Sequence, residues 1–271
     1  MSAPRSVSLP MYDFPEFSGA TSLLLTRIVA ELTSLGEDVV ATSPANAMHH
    51  ELIEHWESPS TYLSQSCGLP FVEQLHRCVD VIGTIRWTGI SDSRGWYRTV
   101  VVVRADHPAR TLEQLRGARP VISNPQSLSG WCSLGWVLAQ VTSDPDFVQP
   151  YRIAERHTGS LQMLQDDDAD FASIDPATFS ILSRHRPAMT KDLRVIGHGP
   201  LVPATPLHIS KTRTASIDDA RAAVVRAFAD ESLADVRRVI GIDSFVGFDN
   251  GTYDVLHDLV ATAEKVLPRA R

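Results

Sequence analysis

The chain has 271 residues, of which 43% are hydrophobic and 21% are charged, so it can bury a core and is not disordered throughout. Its formal net charge is -7 and it has no Lys/Arg run, which argues against a nucleic-acid partner. No apolar run approaches the ~20 residues that span a bilayer, so we expect no membrane insertion.

Short apolar runs alternate with helical patterns in the first hundred residues, which favours an α/β fold. We predict strands over 7–11, 62–66, 79–83 and 97–104, and helices over 21–35 and 45–56. In the first helix, apolar residues recur at spacings of four, four and three from Leu24 to Leu35, and Gly36 supplies a stop. The valine run at 100–103 is typical of a strand that is buried on both faces.

The alternation continues to about residue 210, after which the chain is mainly helical. We predict strands over 120–123, 147–154, 171–174, 193–196 and 207–210, and helices over 112–116, 130–141, 158–165, 175–183, 216–230, 232–239 and 253–266. This order predicts two lobes joined by two crossing strands that form a hinge. Lobe one is 1–103 plus 205–271, lobe two is 104–204, and we expect the ligand in the cleft between them.

The segment Ser127-Leu128-Ser129-Gly130 follows a predicted strand and opens a predicted helix. Backbone N–H groups at a helix start, together with the helix dipole, attract an anion. Ser127 and Ser129 add hydroxyl donors, and Gly130 lets a ligand approach the backbone closely. This chemistry fits phosphate, phosphonate, sulfate or carboxylate. The alternative is that a polar side chain here simply caps the helix.

Three further segments place small polar groups at predicted strand ends or helix starts. They are His157 with Ser160, Asp175, and the turn Ser64-Gln65-Ser66-Cys67. His157 can donate a hydrogen bond to an anion, or be an ordinary surface or capping residue. Asp175 lies at the carboxyl end of a predicted strand, which is where α/β sheets bind ligands. It can pair with a ligand cation or only cap its helix. The turn at 64–67 can face a cleft or be an ordinary turn.

The three cysteines, Cys67, Cys78 and Cys132, form no CxxC pair and no His/Cys cluster. We therefore predict no metal site, and we expect no cofactor. Catalysis by Cys67 is disfavoured, because the sequence offers it no identifiable His base.

The stretch from Tyr97 to Gly130 resembles the periplasmic phosphonate-binding protein family of ABC transporters, a branch of the type II substrate-binding fold. It carries an aromatic residue, a valine-rich strand, Arg104-Ala105-Asp106, the helix Leu112-Glu113-Gln114-Leu115-Arg116-Gly117 and the serine-rich turn. The resemblance covers about Leu9 to Leu267. It implies a two-lobed α/β protein in which each lobe is a mixed sheet flanked by helices, with a two-strand hinge.

The resemblance also implies roles for individual residues. The serine-rich turn holds the phosphonate oxygens and Tyr97 lines the cleft. His157 and Ser160 match a Gly-Ser-His-x-x-Ser element, although Glu155 and Arg156 replace its first two residues. The segments 9–16 and 64–68 resemble a stand-alone subgroup of the family. We expect Tyr12 to face the cleft. Asp13 or Asp175 would pair with a ligand amine.

We therefore predict non-catalytic binding of a small phosphonate- or phosphate-like anion, with an ABC permease as the partner that the family implies. Two alternatives stay open: an enzyme of the cofactor-biosynthesis type using Cys67, His157 and Asp175, and a cytoplasmic small-molecule sensor. The first residues form no secretory signal, so the expected location is cytoplasmic as written, and periplasmic only if the native chain is longer.

Overall fold

The computed structural model describes residues 3–44 and 47–269. The strands are β1 (Arg5–Val7), β2 (Val39–Ala41), β3 (Thr61–Gln65), β4 (Val79–Trp87), β5 (Trp96–Arg104), β6 (Pro120–Ile122), β7 (Arg152–Ile153), β8 (Phe171–Ile174), β9 (Leu193–Pro203), β10 (Pro206–Ser210) and β11 (Ile242–Val246). The helices are α1 (Ser18–Thr33), α2 (His49–Glu57), α3 (Gly68–Glu73), α4 (Ser133–Ala139), α5 (His157–Gln165), α6 (Pro176–His185), α7 (Ile217–Ala229), α8 (Ala234–Ile240) and α9 (Val255–Ala263).

The described chain divides into two compact units. Unit one runs to Trp96 and resumes over Pro203–Asp254, and unit two comprises Tyr97–Val202 and the chain from Val255 onward. Across both units, the described residues include no helix that is long and apolar enough to cross a membrane.

Unit one is built on a six-stranded mixed sheet in the order β11-β4-β10-β3-β1-β2. β1 pairs in parallel with β2 and β3, whereas β10 is antiparallel to both β3 and β4. All five residues of β3 are buried, because the strand lies inside the sheet. The apolar stripe of α1, including Leu24, Ile28 and Leu32, is fully buried, as its helical spacing predicts.

Unit two is built on a five-stranded sheet in the order β7-β6-β8-β5-β9. β6 pairs in parallel with β7 and with β8, and β5 is antiparallel to β8. Val101, Val102 and Val103 of β5 are fully buried, which agrees with the valine run predicted as a buried strand.

Several predicted element bounds change in the structure. The predicted helix over 130–141 begins as a π-helix, Leu128–Cys132, and continues as α4. The helix predicted over 112–116 is a short 3-10 helix, Leu112–Leu115, and the strand predicted over 147–154 is reduced to β7. The predicted start of a helix at Ala45 lies outside the described residues, and α2 begins at His49. The strands β2 and β11 and the helix α3 were not predicted.

The two units also differ from the predicted lobes in where the end of the chain packs. The prediction assigned 205–271 to lobe one, whereas α9 packs against α4 within unit two. A Cβ added at Gly135 of α4 would lie only 2.7 Å from the Cβ of Ala263, so the helix backbones approach closely. The helical pattern at 253–266 predicts a helix, but it does not show which sheet layer its apolar face covers.

Candidate functional site

Three candidate segments of unit two lie at one edge of its sheet. β6, β7 and β8 run parallel, so their carboxyl ends meet at the same edge, where α/β sheets bind ligands. The serine-rich turn follows β6, His157 follows β7 and Asp175 follows β8. The fold therefore brings together three segments that lie far apart in the sequence.

The serine-rich turn is a capped π-helix. The Ser127 hydroxyl oxygen accepts a hydrogen bond from the Gly130 N–H at 2.9 Å, so Ser127 does cap the helix, as the alternative interpretation held. Its carbonyl accepts from the backbone N–H groups of Trp131 and Cys132, at 3.1 and 3.0 Å. Leu128 is buried within this turn. Single π-turns inside helices are frequent at functional sites.

Gly130 is required by the packing of the turn itself. A Cβ at this position would lie 2.3 Å from the Ser123 hydroxyl oxygen and 3.0 Å from the Ser127 hydroxyl oxygen. The Ser123 hydroxyl is buried and, among the described residues, has no hydrogen-bond partner. The glycine thus lets two serine hydroxyls approach the backbone at the start of the π-helix.

A direct hydrogen bond joins the turn to α5. The hydroxyl oxygen of Ser129 lies 2.8 Å from Nε2 of His157. Burial lowers the pKa of His157, and the nearby negative charge of Asp175 only partly opposes this shift, so the ring is neutral at pH 7. Nδ1 of the ring is buried and has no partner within the described part of the chain.

The side chains of Asp175 and Ser160 both form hydrogen bonds at the starts of helices. Asp175 is 4% exposed, and its Oδ1 accepts from the Thr178 N–H at 2.8 Å, which caps α6. The Ser160 hydroxyl donates to the Arg156 carbonyl at 3.3 Å within α5, so its proton is used in the helix. Tyr97, at the start of unit two, is buried in β5.

The unit-one candidates gather around the carboxyl end of β3. The Gln65 amide donates to the Thr205 hydroxyl at 2.9 Å, and the Ser66 N–H donates to the Pro206 carbonyl at 3.1 Å. Oε1 of Gln65 and the Ser66 hydroxyl are buried and lack a partner among the residues described. Cys67 follows at the start of α3, half-buried.

Ser64 belongs to a buried cluster of hydroxyl and imidazole groups. Its hydroxyl lies 2.9 Å from that of Ser8 and 3.4 Å from Nε2 of His55. His208 faces Ser64 across the β3–β10 pair. Burial lowers the pKa of His208 to about 3 and also lowers that of His55, so both rings are neutral. This cluster explains Ser64 as a structural residue of unit one.

Tyr12 and Asp13 lie in the turn that precedes α1. The Pro10–Tyr12 turn packs against β3, and the Tyr12 ring meets the Trp87 ring edge-on, with centroids 4.4 Å apart. Asp13 accepts a hydrogen bond from the Ser43 hydroxyl through Oδ2. Its other oxygen, Oδ1, is buried and has no partner in the described ranges.

Sequence reasoning missed several polar groups near these segments. In unit two they include Ser133, whose buried hydroxyl has no partner among the described residues, and Ser173, which donates to the Thr99 hydroxyl at 3.1 Å. Ser133 follows Ser129 by four residues, and this spacing on one helix face was an available signal. Strand alternation alone does not single out Thr99 or Ser173.

The described residues contain no group of three or more His, Cys, Asp or Glu side chains that could hold a metal ion. The donor groups at the sheet edge of unit two are instead hydroxyls, backbone N–H groups and a neutral imidazole. Such a set can hold an anion through hydrogen bonds from neutral donors, without a cationic side chain.

Several solved structures have the same fold, among them three bacterial proteins. A methylphosphonate complex of the protein PhnD1 from Prochlorococcus marinus has a TM-score of 0.78 and 12% identity, covering 97% of this chain and 98% of that one. A binding component of an ABC phosphonate transporter from Pseudomonas aeruginosa has a TM-score of 0.75 and 15% identity, covering 97% and 87%. An ATP-bound protein from Xanthomonas citri, XAC2383, has a TM-score of 0.74 and 14% identity, covering 100% of both chains. No curated protein sequence matches this chain.

These likenesses define the class of protein: a mixed α/β chain with the type II periplasmic-binding-protein fold, as predicted. The family model described as "ABC transporter, phosphonate, periplasmic substrate-binding protein" matches residues 81–253. The chain belongs to this family, whose function is non-catalytic solute binding. The predicted family and function class are therefore confirmed, and the enzyme alternative is not favoured.

Proposed function

We propose that this chain binds a phosphonate- or phosphate-like anion at the sheet edge of unit two, with Ser129 and His157 contacting its oxygens. The observation that carries the proposal is the 2.8 Å hydrogen bond between Ser129 and Nε2 of His157 at that edge. When Nε2–H donates to the Ser129 oxygen, the hydroxyl proton of Ser129 is available to a ligand oxygen. Nδ1 of the neutral ring then carries no proton, so His157 contacts the ligand by accepting a hydrogen bond from a protonated oxygen.

The neighbouring groups support an anion held by neutral donors. The Ser127 hydroxyl accepts from the Gly130 N–H and keeps its own proton for a further acceptor. A hydrogen bond to a charged oxygen contributes about 1.5–3 kcal/mol, so two or three such bonds give useful affinity without an arginine. Asp175 lies close enough to His157 to influence its pKa, and in the proposed complex it accepts from a protonated oxygen or an amine of the ligand.

That the unit-one residues Tyr12, Asp13 and 65–67 also contact a ligand stays a prediction. Buried unpartnered atoms at Asp13, Gln65 and Ser66 support a polar ligand there. Closure of the two units on one ligand about a two-strand hinge stays a prediction, as does a cytoplasmic location. Family membership supports an ABC permease as the partner.

Isothermal titration with methylphosphonate, aminoethylphosphonate, phosphate, sulfate and ATP tests the proposal. ATP is included because one structure with the same fold holds it. We expect saturable heat with at least one phosphonate or with phosphate, and weaker or no heat with sulfate. A folded sample that gives no heat with any of these anions contradicts the proposal.

A further inference from the structure

The end of the chain packs directly behind the serine-rich turn. α9 lies against α4 and against the π-helix that precedes α4. At Gly135 the two helices are so close that a Cβ would lie 3.0 Å from the Ala263 carbonyl oxygen. Beyond α9, residues 264–269 form a segment that we call the C-terminal strap, and its Val266 and Leu267 are buried.

The strap holds one residue of the turn in two ways. Trp131 is fully buried and lies two residues after Ser129 in the same π-helix. Its indole N–H donates to the Leu267 carbonyl at 3.0 Å. The guanidinium carbon of Arg269 lies 4.1 Å from the centroid of the Trp131 ring, which is a cation–π contact.

The same tryptophan closes the turn through its backbone. The Trp131 N–H donates to the Ser127 carbonyl at 3.1 Å, within the turn that presents Ser127 and Ser129. A displacement of the buried indole therefore moves the backbone that carries the two hydroxyls. Close-packed interiors transmit such displacements rather than absorb them.

We propose that the C-terminal strap positions the serine-rich turn through Trp131, and so sets how tightly and for how long the anion is held. This inference rests on the proposed function. Trp131, Leu267 and Arg269 are positioning residues, because they act through the turn and not on the ligand.

The test compares methylphosphonate binding by the full chain with that of three variants. Trp131→Phe keeps a ring under the Arg269 cation but loses the N–H donor to Leu267. Arg269→Ala removes the cation, and Arg269→Lys retains a cation that can lie over the ring. Arg238→Ala, an exposed arginine of α8 paired with Asp235 in unit one, is the matched control.

We expect Trp131→Phe and Arg269→Ala to weaken binding by about threefold to tenfold, mostly through faster release. Arg269→Lys should recover most of this loss, and Arg238→Ala should bind as the wild type does. In the ligand-free protein, amide hydrogen exchange in a peptide covering 127–132 should be faster in the two weakened variants only. Hydrogen exchange at 127–132 reports on the turn in the absence of ligand. A general loss of stability would instead speed exchange throughout the protein.

Two results overturn the inference, and they differ from each other. If the wild type binds methylphosphonate and both variants match its dissociation constant, the strap does not position the turn, while the proposed function stands. If the wild type binds none of the anions named above, the proposed function fails, and the strap fails with it as a determinant of binding.

Discussion

The hydroxyl of Ser129 lies 2.8 Å from Nε2 of His157, although the two residues are 28 positions apart in the chain. The contact ties the π-helix that follows β6 to the first turn of α5, which follows β7. Because burial keeps His157 neutral, its ring can orient the serine without adding a positive charge. This pair is the centre of the proposed anion site.

Replacing serines of the turn should separate binding from capping. Ser129→Ala together with Ser127→Ala is expected to weaken anion binding by about 3–6 kcal/mol in total, because two donors to a charged oxygen are lost. Ser127→Ala alone should also lower the free energy of unfolding by about 0.5–2 kcal/mol, since it removes the N-cap. Titration and urea unfolding measure the two effects.

The control for the serine variants is Ser183→Ala, an exposed serine in α6 whose hydroxyl donates to its own helix. It should leave the dissociation constant unchanged. An unchanged dissociation constant in the Ser127/Ser129 double variant would show that both serines only support the structure of the turn.

Asp175 can be tested with two substitutions that differ in capping ability. The asparagine side chain can still accept a hydrogen bond from the Thr178 N–H, so Asp175→Asn should keep nearly the wild-type free energy of unfolding. Asp175→Ala should lower the free energy of unfolding by about 1 kcal/mol. If the carboxylate contacts the ligand, both variants change the affinity for aminoethylphosphonate. Equal affinities for wild type and both variants would show that Asp175 only caps α6.

A methyl group at residue 130 should disrupt the turn. The Cβ of Gly130→Ala would lie 2.3 Å from the Ser123 hydroxyl oxygen, so that serine or the π-helix must move. We expect both a lower melting temperature and weaker anion binding. Gly19→Ala is the matched control: nothing lies within 4 Å of its Cβ, so it should leave the melting temperature and anion binding close to those of the wild type. Wild-type binding by Gly130→Ala would argue against a functional role for the geometry of the turn.

The buried histidines should make the protein less stable in mild acid. Burial lowers the pKa of His55, His157 and His208 from the ordinary value of 6.5, to about 3 for His208. Well above pH 6.5 these rings are neutral in the folded and unfolded states alike. Below it the unfolded chain takes up protons that the folded chain does not, so the free energy of unfolding falls towards pH 3.

Urea unfolding from pH about 7.5 down to about 5 measures the slope of the free energy of unfolding against pH. His208→Gln should flatten it, because the variant has one fewer buried ring to protonate on unfolding. Ser210→Ala, on the same strand, removes no titratable group and should keep the wild-type slope. An identical slope in His208→Gln would contradict the role given to His208.

Much of the fold could be predicted because its elements have strong local signals. α1 has a clear apolar stripe and β5 a valine run, and both are buried as expected. β2 and β7 are only three and two residues long, too short to show a period. The packing of α9 on unit two depends on the contact between Gly135 and Ala263, which has no local signature.

The candidate site was predictable in part for a similar reason. The residues after β6, β7 and β8 carry turn chemistry that can be recognised segment by segment, and parallel pairing then brings Ser129, His157 and Asp175 to one edge. The Ser129–His157 hydrogen bond and the cap made by Ser127 depend on side-chain directions that only the folded chain fixes. The contact between the C-terminal strap and Trp131 likewise joins residues that are far apart in the sequence, so no local pattern predicts it.

The most direct test of the central claim is a crystal structure of the protein grown with methylphosphonate or phosphate. We predict an anion at the sheet edge of unit two, with one oxygen within about 3.2 Å of the Ser129 hydroxyl and another near the ring of His157. An anion bound elsewhere, with Ser129 and His157 contacting only each other, would contradict this claim.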